Sequence, residues 1–233
     1  MDYKRILTVG DIHGMYGKLI ALMKKVQFDS EQDLLIFLGD YIDRGPQSLE
    51  CLDYVMALQE QYPERVIPLM GNHEAMCVGY IQFYMLRSEP YMPQFDLTLV
   101  CAWLENGGTE TCNQFKMLDK DDFDRRLRWM GSLPTHFQIG NYFFCHAGIY
   151  PWYALDKQDV KDLICARKWR YHYSGDETIV VGHTPVQITP YPPFYKPVPR
   201  FLKNNIILCD TGAYMDGGKL SCVDVLSHQF WQA

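Results

Sequence analysis

The 233-residue chain has no apolar run long enough to span a bilayer, which argues against a helical membrane protein. No two of its eight cysteines stand closer than eleven residues, so zinc-finger and CxxC redox spacings are absent. Several of these cysteines lie within apolar runs, where a thiol packs as a small hydrophobe. No disulfide framework is expected in a chain of this size without an export signal. Met1–Arg5 leads directly into the first apolar run and leaves no room for such a signal, so the expected location is cytoplasmic. Positive charge is scarce as well. With 22 Lys and Arg against 28 Asp and Glu, the net charge of −6 gives no long-range pull toward nucleic acid or an anionic membrane. Repeats and low-complexity tails are missing. An anionic substrate must therefore be gripped locally, by metal ions and a few arginines.

What is present is a set of five polar clusters, each closing an apolar run. Gly10-Asp11-Ile12-His13-Gly14 follows Ile6–Val9, and Gly39-Asp40-Tyr41-Ile42-Asp43-Arg44-Gly45 follows Leu34–Leu38. Gly71-Asn72-His73-Glu74 follows Val66–Met70, His146-Ala147-Gly148 follows Tyr142–Cys145, and Gly182-His183-Thr184-Pro185 follows Ile179–Val181. Metal-ligating side chains thus sit at the ends of five predicted strands, where an α/β sheet keeps its active site.

At 48% hydrophobic and 21% charged, the composition is that of a globular protein, and the length suits one large α/β domain over 1–233. The first half reads as βαβαβ. Leu19, Ile20, Leu22, Met23 and Val26 recur at helical spacing after the first strand, and Leu49, Leu52, Val55, Met56 and Leu58 do so between Pro46 and Pro63. From about 75 to 132 the pattern becomes helical, with Met76–Leu86, Leu97–Glu105 and a charged stretch from Asp119 to Arg128, and reads as an insertion packed on the sheet. The later strands (Tyr142–Cys145, Thr178–Val181, Ile206–Cys209, Leu220–Leu226) crowd together, which predicts a second, more antiparallel sheet. The loop over 189–199 is rich in proline and aromatics, which disfavours both helix and central strand.

Asp11 and His13 are two residues apart, so an extended segment points both to one side. Asp40 has two carboxylate oxygens, enough to touch two cations. Asn72 offers a neutral amide oxygen, and His146 and His183 offer imidazoles. Mixed carboxylate, amide and imidazole ligation suits manganese, iron or zinc better than calcium. If Asn72 ligates, the neighbouring His73 stands free as an acid, and Asp43 is placed to hydrogen-bond and orient it. Arg44 offers a planar fork for two phosphoryl oxygens. His136, His172 and His228 have no motif around them and read as structural. Glu74 reads as a helix-start or supporting charge rather than a ligand, and Asp210, at the end of another strand, as a support for a ligand histidine. Asn106-Gly107-Gly108 reads equally well as a helix end or a substrate-side loop.

These spellings resemble the phosphoprotein phosphatases of the metallophosphoesterase superfamily, in the family's order over residues 10 to 185. The length and compact helical insertion are similar to the bacterial and phage branch. The resemblance implies two mixed β-sheets in a sandwich flanked by helices, and two divalent ions, manganese ahead of iron or zinc. Carried over, Asp11, His13 and Asp40 hold one ion, and Asp40, Asn72, His146 and His183 the other. His73 becomes the general acid with Asp43 as its partner, and Arg44 a phosphate-binding arginine. Arg167 is the choice for a second such arginine, with Arg170 three residues on as its rival. The implied reaction is in-line attack of a metal-bridging hydroxide on phosphoserine or phosphothreonine, with phosphotyrosine within reach, in phosphorylated proteins or peptides.

Two other functions fit the same residues. A hydrolase of diadenosine tetraphosphate or another nucleotide would use the same metal site, although in that group the second motif typically lacks the pair spelled here by Asp43-Arg44. A non-catalytic scaffold would usually have lost ligands or the acid, and here all of them are present.

Overall fold

The computed structural model describes residues 3–86, 101–188 and 196–233. In chain order its elements are β1 (Arg5–Val9), α1 (Tyr16–Val26), β2 (Asp33–Phe37), α2 (Ser48–Gln61), β3 (Val66–Pro68), α3 (Asn72–Tyr80), α4 (Thr109–Lys116), α5 (Lys120–Ser132), β4 (His136–Ile139), β5 (Tyr142–Cys145), α6 (Val160–Cys165), β6 (Thr178–Val181), β7 (Arg200–Leu202), β8 (Ile206–Leu208), β9 (Ser221–Asp224) and β10 (Phe230–Gln232). Wider π-helical turns extend α3 over Ile81–Leu86 and precede α4 over Leu104–Gly108. Among the described residues no helix is long and apolar enough to cross a membrane.

The strands form two five-stranded mixed sheets, ordered β10-β9-β1-β2-β3 and β4-β5-β6-β8-β7. β1, β2 and β3 are parallel, as are β5, β6 and β8, while β9 and β10 in the first sheet and β4 and β7 in the second pair antiparallel. Side-chain alternation explains the sandwich. In β2, Leu34 and Ile36 join Ile6, Phe144, Val180, Ile207 and Val223 in one buried cluster that draws on both sheets. Leu35 and Phe37 face the other way, into the cluster shared with Leu19 and Leu22 of α1 and Cys51 and Leu52 of α2. A strand covered on both faces needs a continuous apolar run, and Leu34–Leu38 supplies it.

Four features differ from the expectations, the first being that the expected strand Leu220–Leu226 is β9, which pairs antiparallel with β1 in the first sheet and not in the second. The second sheet is parallel at its centre, because long crossovers link β5 to β6 and β6 to β8; only its edges, β4 and β7, are antiparallel. Those edge strands and β10 were not anticipated, since half-exposed segments such as His136–Ile139 carry no apolar run. The helix after the third motif starts earlier than expected: α3 begins at Asn72, not Met76, and Glu74, read as a helix-start or supporting charge, accepts the Gly71 N–H through Oε2 at 3.0 Å. The charged segment forms α5, N-capped by Asp119, whose Oδ1 accepts the Asp122 N–H at 2.9 Å. Residues 97–100 of the expected Leu97–Glu105 helix and residues 189–195 of the proline-rich loop lie outside the described residues.

Candidate active site

The carboxyl ends of β1, β2, β5 and β6 and the start of α3 meet at one edge of the sandwich. The backbone there is bent hard. Of the eight non-glycine residues with positive φ among those described, five are His13, Asp40, Asp43, Arg44 and His183. Such conformations cost about 1–3 kcal/mol each and persist only where surrounding structure enforces them. Their concentration at the motif residues shows where folding energy is used to aim side chains. Glycine is required at Gly71, where a methyl group would run into Asp40 Oδ1.

Asp40 is the centre. Its Oδ2 lies 3.3 Å from His146 Nε2, 3.5 Å from His13 Nε2 and 3.9 Å from His73 Nε2. Its Oδ1 accepts the His73 N–H at 3.0 Å. His146 Nε2 is also met by Asn72 Oδ1 at 3.0 Å and His183 Nδ1 at 3.1 Å. The other ring nitrogens fix the tautomers. His146 Nδ1 donates to the Leu38 carbonyl (2.8 Å) and His13 Nδ1 to the Ile42 carbonyl (3.0 Å), so in neutral rings both Nε2 atoms present lone pairs. Asp11 lies alongside, with both oxygens accepting the His183 N–H at 3.0 Å.

Around His146 Nε2, a carboxylate oxygen, an amide oxygen and an imidazole nitrogen thus converge on one point. With its proton on Nδ1, a neutral His146 has no N–H to offer these atoms, and a cation among them takes that place. The electrostatics show that, without a cation, the pocket draws positive charge onto His146. Burial opposes charge on His146, yet Asp40 and Asp11 outweigh it and raise its pKa to about 9. Burial also pushes the Asp40 carboxyl up, but His146, His73 and His13 reverse this and hold it well below the ordinary carboxylate range. Burial drives His13 and His183 well below the usual histidine value, leaving them neutral as ligation requires. His13–Asp40–His73 and Asp40–His146–His183 are the two buried groups that can each hold a metal ion among the described residues. The chemistry of this donor set fits a pair of divalent ions sharing Asp40.

The remaining expected residues border this cluster. His73 Nδ1 donates to Asp43 Oδ2 at 2.6 Å, while its Nε2 accepts from Arg44 Nη2 at 3.1 Å. Asn72 and His73 therefore diverge, one to His146 and the other to Asp43. Arg44 is exposed, and its guanidinium stacks over the Tyr214 ring at 4.3 Å. Arg167 is exposed and donates to Thr184 Oγ1 at 3.2 Å, beside His183. Arg170 is buried under the same turn, with Nη2 donating to the Arg167 carbonyl at 3.3 Å. Asp210 Oδ1 accepts the Gly212 N–H at 2.8 Å, closing the turn after β8. The three unassigned histidines stack on aromatic rings: His136 on Phe143, His172 against Trp152, His228 on Phe201.

Sequence reasoning missed Tyr214, which also meets the His13 ring edge-on at 5.0 Å, and Trp103, whose Nε1 donates to Asp43 Oδ2 at 2.7 Å. Neither belongs to a strand-end cluster. The one local sign was that Trp103 stands just before Asn106-Gly107-Gly108, whose Gly107 carbonyl accepts the Arg44 N–H at 3.2 Å.

This fold and this buried donor set define a metal-dependent phosphoesterase. Residues 4–208 match the family model for calcineurin-like phosphoesterases, and the chain belongs to that family. It is 42% identical to the serine/threonine-protein phosphatase 1 of Salmonella typhimurium, over 94% of this chain and 91% of that protein. It is 31% identical to the asymmetrical bis(5'-nucleosyl)-tetraphosphatase PrpE of Anoxybacillus flavithermus, over 92% and 88%. Among solved structures it superposes on a candidate diadenosine tetraphosphatase with a TM-score of 0.68 at 21% identity, covering 98% of this chain and 92% of that one.

Proposed function

We propose that the chain is a phosphoprotein phosphatase that hydrolyses phosphoserine and phosphothreonine monoesters, with phosphotyrosine within its reach. The observation that carries this reading is the His73–Asp43 pair, placed beside the metal-ligand cluster with Nε2 facing Arg44. A serine or threonine alkoxide is a poor leaving group and needs a proton as it departs, whereas a nucleotide phosphate leaves as a stable anion. A built acid is therefore of most use on a phosphomonoester. The 42% identity to a serine/threonine phosphatase supports the same substrate class.

Asp11, His13 and Asp40 would hold one divalent ion, and Asp40, Asn72, His146 and His183 the other, with manganese ahead of iron or zinc. When bound, such a pair supplies Lewis acidity, which lowers the pKa of a water and draws charge from the phosphoryl group. The chain's own residues do the rest. Arg44 and Arg167 bind the phosphoryl oxygens and stabilise the charge that develops on them. Asp43 holds the Nδ1–H of His73; once Arg44 turns from Nε2 to the phosphoryl oxygens, Nε2 carries the proton that passes to the leaving oxygen.

A second reading has its own support. The likeness to a bis(5'-nucleosyl)-tetraphosphatase spans nearly the whole of both chains and favours a dinucleotide substrate. Side-by-side turnover of phosphoserine, phosphothreonine and phosphotyrosine peptides and of diadenosine tetraphosphate by the manganese-loaded protein separates the two. The expected result is faster turnover of the phosphopeptides; a strong preference for the dinucleotide overturns the proposal.

A further inference from the structure

The stretch from Trp103 to Thr111 reaches across to the loop that carries Asp43 and Arg44. Trp103 Nε1 donates to Asp43 Oδ2 at 2.7 Å, the same oxygen that receives His73 Nδ1 at 2.6 Å. Thr111 Oγ1 accepts the Asp43 N–H at 3.1 Å alongside Ser48 Oγ at 3.0 Å, and those two hydroxyls are hydrogen-bonded at 2.8 Å. The Gly107 carbonyl takes the next amide, that of Arg44. Asp43 is fully buried, and its Oδ1 has no hydrogen-bond partner among the described residues. Oδ2 is therefore where the carboxylate is anchored, and it is anchored twice.

Trp103 is suited to that task. It is the largest fully buried side chain among the described residues, and its ring packs on Tyr80 at 5.2 Å. A side-chain carbon at Gly108 would strike the indole, so glycine there lets the ring lie with its N–H aimed at Asp43. A carboxylate held by one imidazole can rotate with it. A second donor on a rigid, enclosed ring removes that freedom, and the imidazole plane is held as well.

We propose that Trp103 is a positioning residue for the reaction: it acts through Asp43 to hold His73 so that Nε2 points at the leaving oxygen. The helical insertion is then a working part of the acid rather than packing on the sheet. This rests on His73 being the acid, as proposed above. Its signature is selective. Misplacing an acid slows departure of a basic leaving group and scarcely affects one that leaves unaided, whereas a purely structural defect slows all esters alike.

The test uses the manganese-loaded, full-length protein and three esters whose leaving groups are increasingly basic: 2,4-dinitrophenyl, 4-nitrophenyl and phenyl phosphate. Trp103→Phe is compared with Asp43→Asn and with Phe115→Leu, a buried ring of the same insertion that packs on Phe123. Trp103→Phe is expected to lower kcat on phenyl phosphate about tenfold and to have little effect on the dinitrophenyl ester, with KM and metal content unchanged. Asp43→Asn should show the same slope more steeply, and Phe115→Leu a lowered Tm with no slope. Gly108→Ala, which displaces the indole without removing it, should reproduce the slope and serves where Trp103→Phe does not fold. A uniform loss on all three esters, or no loss, from the Trp103 and Gly108 variants while Asp43→Asn is sloped overturns the role of Trp103. A flat response from Asp43→Asn as well overturns the acid assignment, and this inference with it.

Discussion

Glu74 Oε2 accepts the backbone N–H of Asp40 at 2.8 Å, joining the start of α3 to the end of β2. Its other oxygen accepts the Tyr41 N–H at 2.8 Å and the Ile42 N–H at 3.4 Å, and Oε2 also takes the Gly71 N–H at 3.0 Å. One buried carboxylate thus collects four amides and holds Asp40 in its left-handed conformation. Replacing Glu74 by alanine leaves these donors unpaired in the interior. At roughly 1–3 kcal/mol for each unsatisfied group, a loss of about 3 kcal/mol or more is expected in urea denaturation. Manganese titration of the same variant should show weaker binding, because Asp40, the proposed shared ligand, is no longer held.

Metal dependence gives a direct check on the donor cluster. Chelation should abolish hydrolysis of 4-nitrophenyl phosphate, and manganese should restore it. His13→Ala should remain inactive under the same restoration, with lower metal content by mass spectrometry. Full activity in the chelated protein would contradict the assignment.

His73 and Asn72 are neighbours with different expected roles, and substitution should separate them. His73→Asn is expected to lower turnover on the order of 10²–10⁴-fold, the usual worth of a general acid, while metal content stays near that of the parent. Asn72→Ala should lower metal content instead. Loss of metal from the His73 variant would assign that residue to ligation, as its place beside His13 and Asp40 also allows.

Stability between the sheets should depend on Phe144, which is fully buried in the cluster with Leu34, Ile36, Val180 and Ile207. Phe144→Ala removes most of that ring from the shared core and should cost about 3–5 kcal/mol, read as a lower midpoint in urea. A loss below 1 kcal/mol would show that the two sheets do not depend on this contact.

The strands that carry the motifs were legible because burial on both faces demands continuous apolar runs, and Leu34–Leu38 and Ile179–Val181 are such runs. Edge strands were not. His136–Ile139 alternates between exposed and half-buried, and its pairing with β5 comes from a neighbour rather than from its own residues. The start of α3 escapes the sequence pattern for a related reason. Asn72 and His73 are weak helix formers, and the helix is carried through them by the buried Glu74 and its four amides.

By itself, the sequence determined which side chains of metal-ligating or acid type follow a strand: Asp11, His13, Asp40, Asn72, His73, His146 and His183 stand in local spellings a few residues long. It could not show which of these atoms meet. That Asp40 Oδ2 faces three imidazoles depends on how two sheets stack and which strands lie adjacent. That Tyr214 lies over Arg44 and Trp103 reaches Asp43 depends on contacts across 170 and 60 positions of the chain (214 − 44 and 103 − 43). Short-range spelling specifies functional groups, because their chemistry is carried by single side chains. Their alignment belongs to tertiary structure, because it is enforced by buried packing between segments that are strangers in sequence.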